Sequence, residues 1–169
     1  AKLFLDGSLG ARTAALQEDY SDEPGNKGVL IYENEELHEI IAQAEHDKVT
    51  LALHAIGDRA IEQLLNVLAK IRGGDHTGLV KHRLIHCQIT NAQQIQRLVK
   101  QGMIIEIQPG FLQTDMDWAG SRVGSERLQT SYCWRTMVNA GLTLTGGSDA
   151  PVEDLNPWLG IATAVNRAD

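Results

Sequence analysis

Aliphatic residues collect along the chain into five short runs, at residues 2–5, 49–54, 83–87, 103–108 and 142–145, and such runs are expected as buried strands. Between them, apolar positions recur every three or four residues. Leu37, Ile40, Ile41 and Ala44 fall on one helical face, as do Ile61, Leu64, Leu65 and Leu68, and then Ile95, Leu98 and Val99. Start signals fit this phasing: Asn34 and Asp58 sit where N-caps belong, and Thr90 with Gln93 has the spacing of a capping box. Gly102 and Gly141 stand where helices hand over to the next strand, and Asn156-Pro157 opens a last helix carrying Trp158, Ile161 and Val165.

Strands alternating with helices imply βα units and a parallel sheet. The turns from helix to strand are tight, whereas segments 6–32 and 109–124, each following a strand, run long as loops. Long loops after strands, over short turns on the opposite side, are how a (β/α) barrel carries an active site. A doubly wound open sheet is the rival, but the first turn has no G-x-G-x-x-G signal. The expected fold class is therefore α/β, a partial TIM-type (β/α) barrel.

Alternation along a strand assigns residues to faces. His54 shares parity with Ala52 and Thr50, Asp149 with Gly147, Thr145 and Thr143, and Lys2 with Phe4 and Asp6. The opposite faces carry Leu51 and Leu53, Leu142 and Leu144, and Leu3 and Leu5. One face is large and aliphatic, as helix packing requires; the other bears ionisable groups. His82 and His86 lie at even spacing and are expected on one side, although Leu84 falls on that face too.

Charge and cysteine content narrow the partners. A formal net charge of -7 argues against nucleic acid or an anionic membrane, which need a basic face. No apolar run approaches a membrane span and the first residues are not a signal peptide, so a soluble, cytoplasmic protein is expected. Cys87 and Cys133 lack CxxC spacing, so neither a disulfide framework nor a cysteine-rich zinc module is indicated. Histidine and carboxylate at strand ends facing a barrel mouth suit a divalent cation, zinc foremost. A strand histidine hydrogen-bonded in the core explains the same residues, and spacing alone leaves both readings open.

The segments KLFLDGSLGARTAAL, HAIGDRAI, HRLIHCQ, QPGF and GSDAPVEDLNPWLGIATAVNR together resemble the amidohydrolase superfamily. The resemblance is to amidohydrolase family 3, metal-dependent hydrolases that include N-substituted formamide deformylase-like proteins, and it runs in order over almost the whole chain. It implies that His54 and His86 ligate metal at the ends of the fifth and sixth barrel strands. It implies that Asp149, after the eighth, binds metal and serves as the catalytic base. Lys2 matches a lysine that in such enzymes can react with carbon dioxide to give a carbamate bridging two metals. The implied activity is hydrolysis of a C–N bond, in an amide- or formamide-like small molecule, by metal-activated water.

Two departures accompany the resemblance. The family's H-x-H pair is absent, and the match begins at what resembles the fourth strand, so the chain is expected to hold strands four to eight without the earlier strands or the small β-sandwich. Ile85 also stands where the family often has Glu. The alternative function is a catalytically inactive barrel fragment or scaffold. Half a barrel exposes sheet edges, so a homo-oligomer is expected. Among the remaining candidates, His82 is expected to pack, His38, His46 and His76 to lie at the surface, and Trp134, Met137 and Val138 to join the core. Asp115, Asp117 and Trp118 could contact substrate or form an ordered lid.

Overall fold

The computed structural model describes residues 1–73 and 80–166; the expectation for His76 lies outside them. Five parallel strands, β1 (Lys2–Phe4), β2 (Ala52–Ala55), β3 (Arg83–His86), β4 (Ile104–Ile107) and β5 (Thr143–Gly146), pair in the order β1-β2-β3-β4-β5. Every connection steps to the next strand in the same direction. Right-handed crossovers then carry the connections back over one face, which makes a sector of a barrel rather than a doubly wound sheet with its reversal point.

The register shows how the sequence fills the two faces. Leu3, Leu53, Leu84, Ile105 and Leu144 lie side by side across the sheet and pack into the helix-side core. On the other face run two rows, Lys2-Ala52-Arg83-Ile104-Thr143 and Phe4-His54-Ile85-Glu106-Thr145. The aliphatic stripes find their places against the sheet, with Leu37 and Ile41 of α1 (Asn34–His46), Ile61, Leu64, Leu65 and Leu68 of α2 (Asp58–Arg72) and Leu98 of α3 (Ala92–Lys100) buried.

Several local signals act differently from their sequence reading. Asn34 is the first residue of α1 rather than its cap, and its side chain accepts from Gln63. Asp58 likewise lies inside α2, where it accepts the Gln17 N–H at 2.9 Å and ties the long first loop down. The capping box is Asn91 with Gln94, one residue later than Thr90 with Gln93, because Thr90 is buried against Cys133.

Segment 109–124 is not a loop. It forms α4 (Pro109–Asp115) and most of α5 (Ala119–Leu128), with Pro109 opening α4 and a backbone break at Gly124. After α6 (Trp134–Asn139), which buries Trp134 and Met137 but leaves Val138 exposed, the chain enters β5 and then α7 (Pro157–Asn166). The apolar face of α7 is uncovered among the described residues, with Trp158 and Val165 each 73% exposed. None of the described helices is long and apolar enough to cross a membrane.

Candidate metal site at the rim of the curved sheet

Five flat strands would hold the outer two about 19 Å apart at 4.7–4.9 Å per step. Instead Lys2 Nζ, on β1, comes within 4.0 Å of Asp149 Oδ1, just beyond β5 at the opposite edge. The sheet curls, and residues far apart in sequence meet across its concave face. His86 Nε2 lies 3.8 Å from Asp149 Oδ2, and the His54 and His86 rings meet edge to face with centroids 4.5 Å apart. Phe4 and Phe111 flank this pair, their rings 4.9 Å from His54 and 5.6 Å from His86. Lys2 Nζ also sits over the Phe4 ring.

His54 reaches this face by ordinary alternation, in register with Phe4 and Ile85. His86 does not. It pairs with Ala55, in the row that alternation assigns to the helix side. His86 and Cys87 both take positive φ, 75° and 51°, and this left-handed step at the strand end swings the imidazole toward His54. Asp149 is in the same region, at φ 54°. Such conformations in residues other than glycine cost energy and cluster where side chains must be aimed.

His82 proves unrelated to this cluster. It is fully buried just before β3, where Nδ1 accepts the Leu51 N–H at 3.1 Å and Nε2 lies 3.3 Å from Glu45. The even spacing from His86 carries no shared face, because His82 precedes β3 and the left-handed step begins at His86 itself. Burial depresses the His82 pKa, with Arg72 adding to the effect and Glu45 opposing it.

Electrostatics at His86 are decided by burial. Desolvation pushes its pKa down to about 4, with His54 adding to the effect, and Asp149 cannot offset it. The imidazole is therefore neutral at pH 7, the form that donates a lone pair to a metal. Nδ1 of both His54 and His86 is buried without a hydrogen-bond partner. Gln108, beside His86, also keeps its Oε1 unpartnered. Orphaned buried nitrogens beside a half-exposed carboxylate fit a cation in kind. The fit is partial: among the described residues, no three His, Cys, Asp or Glu side chains already stand together as a ligand set.

Asp115 is buried, and accepts from Tyr132 Oη at 2.5 Å and Gln88 Nε2 at 3.3 Å, while burial raises its pKa. Trp118 packs toward Gly10 under the Arg122 guanidinium, and Asp117 is exposed. His46 is exposed beside Asp47, whereas His38 is half-buried rather than at the surface.

Sequence reasoning passed over Asp6, which is 1% exposed. Its Oδ2 accepts the N–H groups of Ala15 and Gly57 at 2.9 and 2.8 Å, and its Oδ1 accepts that of Ile56 at 3.1 Å. The signal available was its parity with Lys2 and Phe4, which puts a carboxylate at the top of the inward face of β1.

A curved parallel sheet that gathers two imidazoles and a carboxylate at the C-terminal ends of its strands, with the Lys2 Nζ reaching them from the start of β1, is a (β/α) barrel sector with its site at the usual rim. The chain belongs to the amidohydrolase family, whose model matches residues 1–169. YtcJ of Bacillus subtilis (strain 168), named for its amidohydrolase likeness, is 39% identical over 168 residues, 98% of this chain and 31% of its own length. The N-substituted formamide deformylase of Arthrobacter pascens is 26% identical over 170 residues, 98% of this chain and 30% of its own. The crystal structure of an uncharacterized metal-dependent hydrolase from Pyrococcus furiosus superposes with a TM-score of 0.89 at 35% identity, over 99% of this chain and 34% of that one. The chain thus spans about a third of the length of these relatives.

Proposed function

We propose that the protein is a metal-dependent hydrolase that cleaves a C–N bond in an amide- or formamide-like small molecule. The observation that carries this reading is the meeting of His54, His86 and Asp149 from three separate strand ends, two of them aimed by left-handed backbone. His54, through its unpartnered Nδ1, and His86, through the Nε2 that faces Asp149, would hold a divalent cation, zinc foremost, with Asp149 as the anionic ligand. Such a cation, when bound, polarises a carbonyl and lowers the pKa of a water to about 7.

The chain's own groups supply the rest. Asp149 would take the proton of the attacking water and return it to the leaving nitrogen. Phe4 and Phe111 flank the imidazole pair with apolar surface. Lys2, 4.0 Å from Asp149, is the residue that would carry a bridging carbamate if two ions bind. The family, and the relative named N-substituted formamide deformylase, support the C–N bond as the target.

The test is hydrolysis of a panel of N-substituted formamides and simple amides by zinc-loaded protein, with and without chelator. Turnover that chelator abolishes and zinc restores is expected. Stoichiometric zinc with no turnover on any amide would refute the C–N assignment and favour the inactive-scaffold reading, which the partial ligand set supports. Among the described residues, the uncovered Leu155, Trp158 and Val165 and the unpaired outer edges of β1 and β5 support association of chains through these surfaces. Sedimentation showing a concentration-independent monomer would refute it.

A further inference from the structure

Nε2 of His54 faces two acceptors. The carbonyl of Gly7 lies 2.9 Å away and Oδ1 of Asp6 lies 3.4 Å away. A carbonyl has no proton to give, and both Asp6 oxygens already accept backbone N–H groups, so each meets its neighbours as an acceptor. The proton must therefore sit on Nε2. The other tautomer would aim a lone pair at both oxygens and bury an N–H at Nδ1, which has no partner. The same carboxylate holds the turn from β2 to α2 through Ile56 and Gly57, and the first loop through Ala15, so it fixes the imidazole and its frame together.

We propose that Asp6 is a positioning residue that, with the Gly7 carbonyl, locks His54 as the Nε2–H tautomer and so leaves Nδ1 as a lone-pair donor to a divalent cation. This rests on reading His54 as a metal ligand. Asp6 acts through His54 and the turn that frames it.

The discriminating variant is Asp6→Asn. Asparagine keeps the size and one acceptor but turns the other oxygen into an NH₂ donor. Placed at Oδ2, that donor would meet two backbone N–H groups at 2.8 and 2.9 Å. Placed at Oδ1, it meets the longer contacts from Ile56 and His54, so it settles there and opposes a proton on Nε2.

Long-range ¹H–¹⁵N correlation on the metal-free protein reads the tautomer directly, with His54→Asn identifying the signals. The wild type should show His54 protonated at Nε2 and bare at Nδ1. Asp6→Asn, with its backbone amide spectrum otherwise preserved, should shift His54 toward Nδ1–H and weaken zinc binding by roughly 10- to 100-fold. A wild-type His54 protonated at Nδ1, or a folded Asp6→Asn with an unchanged His54 pattern, overturns the proposal. If Asp6→Asn does not fold, the wild-type pattern decides alone. Zinc that leaves the wild-type His54 signals unmoved, while the tautomer is as stated, refutes the metal reading and leaves the Asp6–His54 assignment standing.

Discussion

Acidification should destabilise the metal-free protein through His86. A free imidazole titrates near 6.5, whereas in the fold burial holds His86 down to about 4. Between these values the unfolded chain binds a proton that the native state refuses, so protons favour unfolding. Stability is full above about pH 6.5 and falls as the pH drops toward 4. The gap from 6.5 to about 4, at about 1.4 kcal/mol per pH unit, amounts to about 3 kcal/mol.

Other buried groups titrate in the same region: His82 acts in the same direction, while Asp58 and Asp115, raised by burial, act oppositely. A difference against His86→Asn removes them, and asparagine tolerates the φ of 75° that this position requires. Urea denaturation with chelator present, at pH 7 and pH 4.5, should show the wild type losing about 2–3 kcal/mol more than the variant. Parallel pH dependences for the two proteins would refute the claim that this imidazole is buried and neutral.

Three further substitutions test the frame around the site. Gly57→Ala would put a Cβ 1.9 Å from the Ala15 carbonyl oxygen, backbone that cannot swing aside, so a loss of about 3 kcal/mol is expected. Gly73→Ala, at φ 57° in open space, should lose only about 1 kcal/mol, and equal thermal shifts for the two variants would contradict the close approach. Arg72→Met should cost about 3–5 kcal/mol in urea, because it abandons half-buried Glu45 and the carbonyls of Val80 and Gln101. A change below about 1 kcal/mol would show that network to be dispensable.

Strand positions were legible because aliphatic runs of four to six residues bounded by turn residues have few other uses in a βα chain. The ends moved by a residue or more: the second run, expected from residue 49, begins pairing at Ala52. Parity gave the face of His54 and Lys2 because β1 and β2 are regular there. It could not place His86, since the left-handed step at residues 86 and 87 leaves no pattern in the side chains. The helices at 109–128 were hidden by Gly110, Gly120 and Gly124 and by a composition suited to a loop. Asp6 was overlooked because its partners are backbone N–H groups nine to fifty-one residues away, and these have no sequence signature.

The most direct test is anomalous diffraction at the zinc edge from crystals grown with zinc. A single peak is expected at about 2.0–2.2 Å from one nitrogen each of His54 and His86 and from a carboxylate oxygen of Asp149. Zinc bound elsewhere, with both imidazoles unligated at the strand ends, would contradict the assignment of this rim as the metal centre.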